Sequence, residues 1–119
     1  MKSLLLLLAL LAFSPARAQS AGPAAVVQAA PDPAKPVQTV EASCGQCRLG
    51  LPGKSCDLAV RFDGKAYFVD GTTIDAHGDA HAKDGFCQAI RKAEVQGQVV
   101  NNRFVASYFR LLPEPAAVK

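Results

Sequence analysis

Leu58-Ala59-Val60-Arg61-Phe62-Asp63-Gly64-Lys65-Ala66-Tyr67-Phe68-Val69 is the stretch whose reading decides the fold. Two runs rich in β-branched and aromatic residues flank Asp63-Gly64, a pair suited to the positive φ angles of a two-residue hairpin turn. Pairing across that turn sets Val60 opposite Tyr67 and Leu58 opposite Val69 on one face. Ala59 and Phe68 then meet on the other. A register this consistent predicts an antiparallel hairpin, with one strand over Cys56 to Phe62 and the next over Lys65 to Val69.

Downstream, Asn101-Asn102 repeats the pattern, since Asn tolerates positive φ. Strands are predicted over 93–100 and 103–112. Val99 faces Phe104, Gly97 faces Ala106 and Val95 faces Tyr108, while Glu94, Gln96 and Gln98 point to a solvated face. The alternation breaks at Phe109, where a bulge or a second buried face is expected. Upstream, residues 37–43 form a first strand that ends in the turn Cys44-Gly45-Gln46-Cys47, and Gly- and Pro-punctuated loop follows to Ser55.

Between the two hairpins, residues 70–81 read as a loop. Phe86, Ala89, Ile90 and Ala93 fall at i, i+3, i+4 and i+7, which predicts a helix capped by Asp84 and weakened by Gly85. Ala93 is claimed by both helix and strand. The order β-β-β-α-β-β predicts a mostly β chain with one short helix, closed as a small OB-like five-stranded barrel. The alternative is an open antiparallel sheet with the helix packed on it.

The flanks set compartment and extent. Lys2, the apolar run from Leu4 to Phe13, and Ala16-Arg17-Ala18 have the form of a secretory signal peptide over residues 1–18. Residues 19–36, rich in Ala and Pro, read as a disordered leader. The domain then spans 37–112, and 113–119 is a flexible tail. Periplasmic or secreted localisation is expected, with no transmembrane segment in the mature chain. Of 13 basic and 10 acidic residues, Lys2 and Arg17 leave with the signal. The near-neutral remainder offers no footprint for nucleic acid or anionic lipid.

Cys44, Cys47, Cys56 and Cys87 hold nearly all the strong chemistry, joined by His77 and His81, with Asp75 and Asp79 beside them. A Cys-x-x-Cys turn suits three uses. Four cysteines in a small exported domain most often form disulfides, and their pairing is not set by sequence. They also suit zinc or copper, with thiolate and imidazole as the preferred donors. His77 and His81 would share a face, and Asp79 would serve as a further ligand or orient an imidazole. Cys87 falls in the first turn of the predicted helix, where a free thiolate would be favoured. Third, Cys44 and Cys47 could cycle as a thiol-disulfide oxidoreductase, but no βαβ context surrounds them. No Ser/His/Asp triad and no phosphate-cradling glycine loop is evident.

The ordered set Val40-Glu41-Ala42-Ser43-Cys44-Gly45-Gln46-Cys47, Cys56-Asp57-Leu58-Ala59-Val60, Tyr67-Phe68-Val69-Asp70-Gly71, His77-Gly78-Asp79-Ala80-His81 and Gly85-Phe86-Cys87 resembles a family of small exported bacterial proteins that carries only a domain-of-unknown-function label. The resemblance spans nearly all of the predicted domain. It implies a single exported domain and brings no activity, ligand or catalytic residue with it. Taken together, the sequence predicts a non-enzymatic binding or structural module whose cysteines staple the fold. Zn or Cu binding and redox exchange are the alternatives, and the expected partner is a protein or small molecule of the cell envelope.

Overall fold

The computed structural model describes residues 27–114. The predicted signal peptide, residues 19–26 of the predicted leader and most of the predicted tail fall outside them. Five strands, β1 (Gln38–Cys44), β2 (Leu58–Phe62), β3 (Lys65–Asp70), β4 (Arg91–Val100) and β5 (Arg103–Leu111), close into a barrel in the order β1-β2-β3-β5-β4. Every pairing is antiparallel except β3 with β5. This is the OB-like barrel predicted, and the open sheet is set aside.

Both hairpins form as their turn residues require. Asp63 and Gly64 have φ of 51° and 75°, and Asn101 and Asn102 have 50° and 62°. Positive φ at both central positions gives the turn a twist that matches the strands on either side. Val60 faces Tyr67, Ala59 faces Phe68, Val99 faces Phe104 and Gly97 faces Ala106.

The bulge lies away from Phe109, but the second buried face is there, since Tyr108 and Phe109 are both buried. The register shifts between Gln96 and Gly97, so that Gln96 faces Tyr108, Val95 faces Phe109 and Ser107 is left over. The shift returns Val95 and Phe109 to the barrel interior, where both are buried. Gln96, expected in solvent, is instead 3% exposed. Its side chain accepts from the backbone N–H of Asp32 at 2.7 Å and donates to the carbonyls of Asp32 and Lys35, each at 2.9 Å. A buried amide must have such partners, and the leader segment supplies them. Nearby, Val27 and Gln28 donate backbone N–H groups to Gly71 and Ser107. The leader thus lies on the barrel over 27–36.

The helix predicted near Asp84 is absent. The α-helix of the described chain is one turn, α1 (Gly45–Arg48), within the cysteine motif. The connection from β3 to β4 holds a 3-10 turn, Ile74–His77, followed by tight turns to Ala89. The helical stripe failed because its four members separate. Phe86 is a core residue, Ile90 is 43% exposed, and Ala93 lies inside β4 with 0% exposure. Ile74, Ala80 and Phe86 join the core formed by Val40, Ala42, Val60, Val95 and Phe104. The connection therefore plugs the barrel without a helix. Among the described residues, no helix is long and apolar enough to cross a membrane.

Candidate metal centre

Cys44 is the last residue of β1, and Ser43 and Cys44 extend past the start of β4, whose Arg91 pairs with Ala42. The carbonyl of Phe86 takes over there. It accepts from the Cys44 N–H at 3.0 Å and from the buried Ser43 hydroxyl at 2.6 Å. The same hydroxyl lies 2.9 Å from the Ala89 carbonyl. Cys87, one residue beyond Phe86, is fixed against the end of β1 by these contacts. Its own N–H donates to the Ala80 carbonyl at 2.9 Å. That fold of the connection needs Gly85, because a Cβ there would collide with the carbonyls of Asp79 and Ala80.

Gly45 lets α1 settle on the outer face of the β2–β3 hairpin. A Cβ at this position would lie 2.7 Å from the Phe68 ring and 3.0 Å from the Ala59 methyl. This contact buries Ala59 on the face opposite Val60. Gln46 then clasps the next segment. Its Nε2 donates to the Asp57 carboxylate at 2.7 Å, and its Oε1 accepts from the Asp57 N–H at 3.0 Å. The Gly45 N–H also donates to the Asp57 carbonyl at 2.8 Å. Cys56 is thereby held beside the Cys44–Cys47 turn. Arg48 closes the corner from the other side, donating to the carbonyls of Cys87 and Gln88.

These supports bring all four thiols together. The sulfurs of Cys44, Cys47, Cys56 and Cys87 lie within 4.8 Å of one another. All four are free, with Cys44 buried, Cys47 exposed and the other two half-buried. Cys56 and Cys87 make the closest contact recorded, 2.7 Å. The Cys47 N–H points at the Cys44 sulfur, 3.4 Å away.

The thiols differ in acidity. Burial alone would push Cys44 up, but hydrogen bonds from the Cys56 and Cys47 thiols and from the Cys47 N–H outweigh it and bring the thiol down. Cys47 is raised, first by its hydrogen bond to Cys44. Cys56 is raised strongly, by burial and then by its bonds to Cys44 and Cys87. Of these three thiols, only the innermost is made more acidic.

The histidines stand apart from this group. His77 accepts or donates at Thr72 Oγ1, 2.9 Å from its Nε2, and packs against Phe109 with the rings tilted by 39° and their centres 4.5 Å apart. Burial lowers its pKa. Asp79 accepts from the His81 N–H at 2.9 Å, and both side chains are open to solvent. Cys87 stands in a turn, so no helix N-terminus favours its thiolate. Gln46, Ser43 and Arg48, which position the sulfurs, carry no signature in sequence beyond standing next to the cysteines.

Residues 38–112 match a family of unknown function (DUF6370), and the chain belongs to it. No curated protein matches the chain. No solved structure matches it.

Proposed function

We propose that this member of a family of unknown function is a small exported domain whose four cysteines bind one transition-metal ion. The observation that carries the reading is the mutual closeness of the four sulfurs, all within 4.8 Å. A tetrahedral zinc site with Zn–S bonds of about 2.3 Å has sulfurs ~3.8 Å apart, so four thiolates in one small volume match its needs. Donation of the Cys47 N–H to the Cys44 sulfur suits a ligand that carries negative charge. Sulfur donors favour zinc or copper(I) over hard cations, so calcium and magnesium are poor candidates. His77, His81 and Asp79 have no part in this site. Lys2, the apolar run from Leu4 to Phe13 and Ala16-Arg17-Ala18 support export.

The role is binding rather than catalysis. Four protein thiolates leave a tetrahedral ion no open position for substrate, which is the mark of a structural or storage site. A barrel of this shape does not itself imply a nucleic-acid ligand. An oxidoreductase built on Cys44 and Cys47 is a poorer fit. Its attacking thiol should be exposed and acidic, yet Cys44 is the buried one and Cys47 is the one whose pKa is raised.

A disulfide staple is the second reading, favoured by the 2.7 Å approach of Cys56 to Cys87. Metal analysis of protein purified from the periplasm separates the two. The metal site predicts one zinc or copper per chain and loss of that metal in the Cys44→Ser variant. Metal-free protein in which Cys56 and Cys87 are already bridged would establish the staple in its place.

A further inference from the structure

The close contact of Cys56 with Cys87 has a direction that the other thiol pairs lack. The two come from separate segments, 31 residues apart, and their sulfurs are 2.7 Å from each other. Both are half-buried, whereas Cys44 is buried and Cys47 is exposed. Cys56 also forms part of the wall of a cleft of about 300 Å³, with Asp57, Thr72, Thr73 and Arg103 around it. Of the four cysteines, Cys56 is the one that lines this cleft, and the Cys87 sulfur is in contact with it.

We propose that the site is a redox switch, in which oxidation of Cys56 and Cys87 to a disulfide expels the bound metal. This rests on the metal-binding reading above and adds the control of release. The oxidant is a disulfide donor of the thiol-exchange class. The Cys56 sulfur, held deprotonated as a ligand of the ion, attacks one donor sulfur, forming a mixed disulfide, and the other donor sulfur leaves as a thiolate with the electron pair. The Cys87 thiolate then attacks the Cys56 sulfur and expels the second donor thiolate. Two cysteine thiolates are oxidised, and one donor disulfide is reduced to two thiols. Cys44 and Cys47 remain as the only ligands and are too few to hold the ion. The new bond still fastens the connection that bears Cys87 to the segment before β2, so the barrel outlasts the loss of metal.

The test uses the full mature chain loaded with cobalt(II), treated with oxidised glutathione. Cobalt–thiolate absorbance should be present at the start and fall roughly tenfold or more as metal is released. Peptide mapping without reduction should find the Cys56–Cys87 bridge, and dithiothreitol with fresh cobalt should restore the absorbance. Far-ultraviolet circular dichroism should stay unchanged throughout. The Cys47→Ser variant, which keeps the reacting pair, should form the same bridge. Loading followed by a Cys44–Cys47 bridge, or by oxidation with metal retained, overturns the switch and leaves the metal site standing. Failure to load any cobalt before oxidant is added overturns both.

Discussion

The β4–β5 hairpin and the cysteine corner are held by opposite means. In the hairpin, Val99 faces Phe104 across Asn101-Asn102, and neighbours along the chain supply every contact that sets the register. In the corner, Cys44, Cys56 and Cys87 come from three segments, and polar groups align them: Ser43 with Phe86 and Ala89, Gln46 with Asp57, Arg48 with Cys87 and Gln88. Local pairing closes a loop at small entropic cost, but gathering distant segments needs an added source of stability. A bound ion can supply it, because binding that occurs only in the folded state adds directly to folding free energy. The difference teaches that the barrel and the corner should fail separately.

Metal removal should break the comparison most visibly. Chelation of the reduced protein is expected to cost ~4 kcal/mol if the ion is present at a thousand times its Kd, read as a fall in Tm. The same treatment should leave amide protection in the two hairpins nearly intact and release it at Cys44 and Cys87. Phe86→Ala comes next, at about 3–5 kcal/mol, because the ring is 2% exposed and plugs the barrel. Denaturant unfolding measures it, and metal affinity should fall too, since Cys87 is the adjacent residue. Ser43→Ala should cost about 1–2 kcal/mol by leaving buried carbonyls short of a donor. In the hairpin, Asn102→Ala forces an alanine to φ near 62° and should cost about 1 kcal/mol with no change in metal content.

Acid should act on the two regions by different groups. Burial depresses the His77 pKa, so the unfolded chain binds this proton more readily. Its contribution to stability is full above the ordinary histidine value of about 6.5 and declines as pH falls below it. His77→Phe should flatten that part of the stability curve in metal-free protein. Metal content should also fall on acidification, because protons compete for the thiolates, and His77→Phe should leave that loss in place.

The contrast also explains what could be read in advance. Asp63-Gly64 and Asn101-Asn102 announce their turns through backbone chemistry, so both hairpins and the barrel order were legible. The helix at Asp84 was misplaced because Phe86, Ala89 and Ile90 match a helical period by spacing alone. Phe86 and Ala89 instead meet Ser43 and Cys44, with Phe86 in the barrel interior, and Ile90 is left exposed, which no local window shows. Gln96 was assigned to solvent because strand alternation takes no account of a leader folding over it. The four cysteines were legible as a set. Their convergence without His77 and His81 was not, since it depends on Gly45 packing over Ala59 and on Gly85 allowing a tight fold of the connection.

The central claim is that the four thiols hold one ion. Intact mass of the purified protein, native and then denatured with an alkylating agent, tests it most directly. The account predicts a native mass heavier by one zinc or copper ion and alkylation of all four cysteines once the protein is denatured under reducing-agent-free conditions. An unmetallated mass with no cysteine alkylated would mean two disulfides, and would contradict it.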